Sequence, residues 1–454
     1  MIKPPSSATP FLTAVQKSAS IYEPRVLHNC FFMCPPLEFF NSSMIQCLSM
    51  KNKCIYFEYT QGGIHLKIAM LGWGTVARSL MEQIEKRHDP ELQVAAILIR
   101  KPHPLTHPAM TYDYAQVLAD PQIDVVVEMI SGAEPAWDYC RQAMEAGKSV
   151  VTSNKAMVSA YYRELVNLAK KHQVQFRYDA SVAGGIPWLR TITALKATDP
   201  IVAIEGIFNG TTNYILDHME RDGLSLDEGI AQAQRLGYAE ADPRADLEGE
   251  DLARKLMISA GCAFNVLLHR DQFSAQGLQG LTCQDIQAFE AKEKRCRLLS
   301  ILKKTEAGIQ ARIEPVLLPV TAPLAQIRDN LNAGLLRTAS LGELTLIGQG
   351  AGGPPTAHAV LTDILEIKKK SQVSPLPLHE VKISEAAEDV RYYVGTNDQT
   401  AELFNGVTAE IRRSEGRVQL WTQSGDSRDL QALIIQARTF DPQLFAARIQ
   451  EEEI

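Results

Sequence analysis

The spacing of apolar positions changes character at Leu66. Leu66-Lys67-Ile68-Ala69-Met70-Leu71 is a short apolar run closed by Gly72-Trp73-Gly74-Thr75-Val76-Ala77, after which Leu80 and Ile84 recur at helical spacing to about Arg87. That pattern predicts strand, glycine turn, helix. The runs 94–99, 123–129 and 148–152 are too short and too rich in β-branched residues for helices and predict three more strands, with helices over 114–119 and 136–146 between them. Strands alternating with helices predict an α/β fold, a Rossmann-like, doubly wound parallel sheet.

Beyond about residue 180 the alternation slows. Helices are predicted over 188–196, 213–220, 225–236 and 251–264, strands over 201–208, 313–319 and 342–347, and a further helix over 356–370. This mixture predicts an α+β substrate domain after the parallel sheet. The stretch 380–454 carries two predicted strands, 390–395 and 417–423, and a helix over 428–440, as a small α/β tail.

Composition narrows the function classes. The 454 residues, 45% hydrophobic, suffice for two or three cored domains and exclude a small disulfide-stapled scaffold. A net charge of −7 lacks the basic footprint of a nucleic-acid or anionic-membrane binder. No apolar run approaches the roughly 18–20 residues needed to span a bilayer, so a cytoplasmic protein is expected. Four of the eight cysteines, Cys30, Cys34, Cys47 and Cys54, lie near the front without zinc-like spacing, and a reducing compartment without disulfides is expected. Residues 1–63 contain no Asp and carry net charge +2. They are expected to be disordered, or to precede the functional start, with Met50 a later start; an organelle leader would share their acidic-poor, Ser-rich character but would hold more Arg.

Three groups of residues carry candidate chemistry. Gly72, Gly74 and Ala77 form G-x-G-x-x-A between strand and helix, where missing side chains let Gly74, Thr75 and Val76 bring backbone N–H groups to a pyrophosphate; the alternative is a tight turn of small residues. Arg100 and Lys101 follow the second strand where an NAD site offers a carboxylate, which favours NADP(H), with NAD(H) or plain solvated charges as the alternatives. Glu240, Asp242, Asp246, Glu248, Glu250 and Asp251 crowd one loop and helix start beside Lys255, after a capping box at Ser225 and Glu228 and a helix stop at Gly237. Asp251 and Lys255, at i and i+4, form either a solvated salt bridge or an acid–base site in which carboxylates bind an ammonium and the lysine donates a proton to a carbonyl.

The runs Gly206-Ile207-Phe208-Asn209-Gly210-Thr211-Thr212-Asn213-Tyr214-Ile215-Leu216, Gly237 to Lys255, and Gly348-Gln349-Gly350-Ala351-Gly352-Gly353-Pro354-Pro355-Thr356-Ala357 resemble homoserine dehydrogenase. Ser153-Asn154-Lys155-Ala156 and Asp179-Ala180-Ser181-Val182-Ala183-Gly184-Gly185-Ile186-Pro187 match the same family, and the resemblance runs in the family's order through about residues 66–365. It implies NADPH-dependent, reversible reduction of L-aspartate 4-semialdehyde to L-homoserine, a step of threonine, methionine and isoleucine biosynthesis. By resemblance Lys255 is the proton donor, Glu240 and Asp251 hold the amino acid, and Lys155 lies between nicotinamide and substrate. Ser153, Lys155, Gly237 and Gly350 join Gly72, Gly74, Thr75, Val76, Arg100 and Lys101 at the cofactor.

The resemblance also implies a sodium-binding loop at Asp179, Val182, Gly184 and Ile186, where the family usually begins with Glu; the alternative is a plain Gly-Gly-Ile-Pro turn. It implies an NADP-binding domain over 64–200 completed by 345–370, a substrate-binding and dimerisation domain over 201–345, and a homodimer or higher homo-oligomer. The stretch 380–454 resembles a degenerate ACT domain, without the Asp-x-Pro-Gly loop of a ligand-binding one, or an oligomerisation module. Two other readings remain: an oxidoreductase acting on another amino-acid semialdehyde, and a non-catalytic Rossmann ligand sensor.

Overall fold

The computed structural model describes residues 65–369, 378–384, 386–414 and 416–451, with the backbone of two strands, Met44–Met50 and Lys53–Tyr59, that pair antiparallel in a separate unit. The rest of the 1–63 extension, and the expectation attached to it, lie outside the described residues. No described helix is long and apolar enough to cross a membrane.

Six strands form the first sheet: β1 Leu66–Leu71, β2 Leu92–Leu98, β3 Met110–Thr111, β4 Val125–Glu128, β5 Ser149–Thr152 and β6 Phe176–Arg177. Every pairing is parallel and the spatial order is 3-2-1-4-5-6. That is the doubly wound dinucleotide-binding order, with its switch point between β1 and β4. The central strands β1 and β4 are buried on both faces, which accounts for their apolar runs, while β2 leaves Gln93 exposed and Val94, Ala95 and Ala96 half-buried. Helices α1 Thr75–Arg87, α2 Tyr114–Ala119, α3 Glu134–Glu145, α4 Lys155–Ala160 and α5 Tyr162–His172 join them. Helices α4 and α5 lie beyond the elements that spacing predicted; α4 follows its strand almost at once and α5 follows α4 across Tyr161 alone.

The second half begins with α6 Trp188–Lys196, β7 Ile201–Ile207, α7 Gly210–Asp222, α8 Leu226–Arg235, α9 Arg244–Leu247, α10 Glu250–Phe264 and α11 Cys283–Glu290. It continues through β8 Lys294–Thr305, β9 Gly308–Pro319, β10 Leu331–Thr338, β11 Glu343–Gln349 and α12 Gly353–Lys368. Helix α12 returns to the first sheet, where Ala357, Val360 and Ile364 share one core with Leu80, Ile84 and Met70. The last elements are β12 Asp389–Thr396, β13 Thr408–Ser414, β14 Arg417–Thr422, α13 Ser427–Phe440 and β15 Phe445–Ile449.

The second sheet runs β11-β10-β7-β8-β9-β15-β12-β14-β13. The tail is therefore a β-α-β-β-α-β unit, its first helix reduced to Asp398–Ala401, with its four strands in the order 4-1-3-2. Two of those strands, β13 and β15, were not predicted. Its strand β15 pairs parallel with β9 through Val316↔Arg448 and Leu317↔Ile449, so tail and substrate domain share one sheet. An aromatic cluster seals the junction: Tyr393 and Trp421 of the tail pack at ring distances of 4.7 and 6.4 Å from Phe289 of α11.

Candidate active site

The site is assembled from loops at the carboxyl ends of β1, β4 and β5 and from the start of α10. Gly72 adopts φ +98, and a Cβ there would stand 3.0 Å from the Met129 carbonyl, so the turn requires glycine. Gly74 is the N-cap of α1, and a Cβ there would meet nothing within 4 Å. This open, side-chain-free helix start, with no acidic residue in its first turn, fits the pyrophosphate of a dinucleotide. Thr75 is exposed and Val76 half-buried beside it, and Gly353 at the start of α12 approaches Thr75 and Ser79 so closely that a Cβ would clash. Arg100 and Lys101 are both exposed beyond the end of β2, Lys101 lying 5.4 Å from the ring centroid of Tyr112.

Asn154 caps α4 by accepting the Met157 amide at 3.0 Å, which makes Lys155 the first helical residue; Ser153, half-buried, donates its amide to the Glu128 carbonyl at 3.4 Å. From this position Lys155 Nζ reaches Asp251 Oδ1 at 3.2 Å. Asp251 sits in the first turn of α10 with Lys255 one turn on, and Lys255 Nζ stands 2.6 Å from Asp251 Oδ2. Lys255 is buried and also donates to the Phe208 carbonyl. Burial opposes the charge on Asp251, but the two ammonium groups and a hydrogen bond from Asn209 at 3.0 Å overcome it and hold the carboxyl well below the usual carboxylate range. The i, i+4 pair is thus a buried element of a three-residue contact and not a solvated helix bridge.

Asp246 was visible only as one of six crowded acids, and Asn209 not as a site residue at all. Asn209 caps α7 through Oδ1, which accepts the Thr212 amide at 2.9 Å, and its Nδ2 bridges Asp251 and Asp246, the latter at 2.7 Å. Burial and the neighbouring Asp251 charge push the Asp246 carboxyl up. The predicted helix over 213–220 began too late to show Asn209 even as a cap; the observed helix starts at Gly210.

Other expected residues stand apart from this contact. Gly237, φ +77, follows α8, and Glu240 is exposed on the next loop, which is tied down by Thr211 Oγ1 to the Tyr238 carbonyl at 2.7 Å; Glu240 forms no ion pair with either lysine in this structure. Gly350 lies where a Cβ would overlap the Asn332 side chain, and Gly184, φ +53, lies where one would stand 2.5 Å from the Gly350 carbonyl carbon. Asp179 turns its carboxylate to α6, where Oδ1 accepts the Arg190 amide at 2.9 Å and Oδ2 lies 3.5 Å from Arg190 Nη2. Arg190 also pairs with Asp363 at 3.0 Å, and the burial that these two carboxyls share pushes both up. Asp179 Oδ2, buried and without a hydrogen-bond partner among the described residues beyond the 3.5 Å approach of Arg190, remains open to a hard cation together with the backbone carbonyls of Asp179, Val182, Gly184 and Ile186.

Comparison with known proteins gives a consistent result. Residues 72–179 match the family model described as the homoserine dehydrogenase NAD binding domain, and 187–365 the model described as homoserine dehydrogenase. The chain is 32% identical over 411 residues to a homoserine dehydrogenase of Lactococcus lactis, covering 86% of this chain and 96% of the relative. It is 35% identical over 401 residues to that of Corynebacterium glutamicum, covering 82% and 88%. The solved structure of a homoserine dehydrogenase from Thiobacillus denitrificans superposes with TM-score 0.76 at 29% identity over 85% of this chain and 98% of that one. A hyperthermophilic archaeal homoserine dehydrogenase in complex with NADPH superposes with TM-score 0.59 at 26% identity over 68% and 98%.

Proposed function

Because the chain belongs to the homoserine dehydrogenase family, whose NAD(P)-dependent reaction reduces aspartate semialdehyde to homoserine, we propose how its own residues divide that work. The observation that carries the reading is the contact of Lys155, from the dinucleotide-binding sheet, with Asp251 and Lys255, from the second half of the chain. Gly72, Gly74, Thr75 and Val76 hold the pyrophosphate, with Gly350, Gly237 and Ser153 closing around the cofactor. When bound, the dinucleotide supplies hydride to the aldehyde carbon. Negative charge then develops on the aldehyde oxygen; Lys255 neutralises it and donates the proton, and Lys155 adds a second positive charge beside the reacting carbon. Asp251 fixes both ammonium groups at opposite oxygens of one carboxylate. Glu240, projecting from the 237–243 loop, binds the substrate ammonium together with Asp251.

Arg100 and Lys101 offer positive charge where a ribose 2′-phosphate lies, so NADPH is the preferred reductant over NADH. A sodium ion held by backbone carbonyls of the 179–186 loop would stabilise the turn against Gly350 and takes no part in the steps above. The protein acts in the cytoplasm, in threonine, methionine and isoleucine biosynthesis, as a dimer formed through residues 201–345. The 4-1-3-2 strand order supports the ACT-like reading of the tail.

The test is oxidation of NADPH and of NADH by the purified chain with L-aspartate 4-semialdehyde, with and without threonine. A kcat/KM for NADPH at least about tenfold above NADH is expected, and replacing Arg100 and Lys101 by Ala should remove that ratio by raising the KM for NADPH alone. Equal use of both cofactors by the unaltered chain would refute the preference. Lys255→Ala should lower kcat by about 10²–10⁴-fold with NADPH binding retained, since the lysine acts on charge that exists only in the transition state.

A further inference from the structure

A second buried carboxylate stands in the sheet that carries Lys155. Glu128 ends β4 at the switch point of the parallel sheet and is fully buried, and no Lys, Arg or His side chain among the described residues forms an ion pair with it. An unpaired carboxyl among valines is costly, and a neutral or apolar residue would suit the strand better. What the carboxyl does there is gather three donors from two segments, the loop after β4 and the stretch 152–154. Oε1 accepts the Ile130 amide at 2.7 Å and Oε2 accepts the Thr152 hydroxyl at 2.5 Å. Asn154 Nδ2 lies 3.5 Å from Oε1 and donates to the carbonyls of Gly132 at 2.8 Å and Ile130 at 3.1 Å. The Thr152 hydroxyl in turn accepts the Asn154 amide at 2.9 Å.

These bonds hold two segments that border the site. The loop anchored by the Ile130 amide is the one whose Met129 carbonyl presses on Gly72 of the pyrophosphate turn. Asn154, held through Thr152, caps the helix whose first residue is Lys155, and Lys155 reaches Asp251. We propose that Glu128 is a positioning residue for the reduction: it locks the loop after β4 and the start of α4 together, and so fixes Lys155 between cofactor and substrate. The inference rests on the role given to Lys155 above.

The charged carboxylate accepts from all three donors; protonation turns one of its oxygens into a donor, which the Thr152 hydroxyl can meet only by turning its own O–H away, so the bonds that tie Glu128 to Thr152 and Asn154 are rearranged. Burial raises the Glu128 carboxyl to about 7, against the opposing hydrogen bonds from Thr152, Ile130 and Asn154. The other titratable group that faces it is the buried thiol of Cys140 on α3, which burial and Glu128 itself push up and which stays neutral near pH 7.

The test compares Glu128→Gln and Lys155→Ala with the unaltered full-length enzyme, using NADPH and L-aspartate 4-semialdehyde between pH 5.5 and 9. Glu128→Gln keeps the shape and removes the charge. It is expected to lower kcat by about 10²-fold, the usual cost of a misplaced reacting group, with the KM for NADPH nearly unchanged and the fall of kcat below about pH 7 abolished. A Glu128→Gln enzyme with unaltered kcat and an unaltered acid limb overturns the proposal while Lys155→Ala is impaired; unimpaired Lys155→Ala refutes instead the reading on which it rests. If Glu128→Gln does not fold, Thr152→Val, which removes one donor and leaves the carboxyl in place, is read the same way: loss of kcat supports the lock, and full activity overturns it.

Discussion

Two buried carboxylates at one site respond to pH with opposite signs. Asp251 is held below its unfolded value, so its contribution to stability is complete above about pH 4 and is lost as pH falls through the lower folded value. Asp251→Asn is therefore expected to cost about 3 kcal/mol at neutral pH, by leaving the Lys255 ammonium buried without its counter-charge, and progressively less as acid removes the same charge from the parent. Urea unfolding across pH 2–7 reads this difference. Glu128, raised to about 7, binds its proton more tightly folded than unfolded. Its contribution is present at low pH and is lost between about 4.5 and 7, a decline of roughly 3 kcal/mol that Glu128→Gln should lack. Asp251 and Lys255 were legible as an i, i+4 pair with two open readings, and Lys155 through the family resemblance, because spacing and motif are local facts. Asn209, Asp246 and Glu128 were not, since a capping Asn, one acid among six and the last residue of an apolar strand acquire their roles only from partners distant in the chain.

Elements were legible where apolar periodicity decides them and illegible where charge interrupts it. The strands β8 and β10 were not predicted, although β8 is 12 residues long and central to the second sheet. It opens Lys294-Arg295-Cys296-Arg297, which reads as surface, yet Arg297 is fully buried against Glu220 at 2.8 Å and the carbonyls of Ala325 and Ile327. The exposed strand β13 shows no alternation because nearly all of its side chains face solvent. The 179–186 turn was legible as a turn, and its packing was not. Gly184→Ala would bring a Cβ against the Gly350 backbone at a positive φ, so a loss of about 1–3 kcal/mol is expected, seen as a lower Tm. A variant as stable as the parent would mean that the two glycine segments are less tightly apposed than they stand here.

At the scale of the molecule, the fold class followed from rhythm alone, but the strand order 3-2-1-4-5-6 and the continuity of the second sheet depend on pairings that no local pattern encodes. The tail is tied to the catalytic half by a buried ion pair as well as by strands. Arg417 Nη2 meets Asp285 Oδ2 at 2.7 Å, and the same carboxylate accepts the Tyr393 hydroxyl at 2.5 Å. Arg417→Ala should cost about 3–5 kcal/mol, because it strands the fully buried Asp285 without its cation. A single calorimetric transition that moves to lower temperature as a whole would show that tail and body unfold together; two separated transitions would show that they do not. The free side of β9 adds a last consequence. It is covered in patches, by Ser274 and Ala275, by a bridge from Ile309 to Ile383, and by β15. Cutting the chain near residue 380 to obtain a minimal enzyme would strip two of those three covers and leave a bare row of amides and carbonyls in an otherwise finished ladder, a template for filament-like self-association. The shortened protein is expected to self-associate where the full chain does not, which light scattering of the two side by side reads.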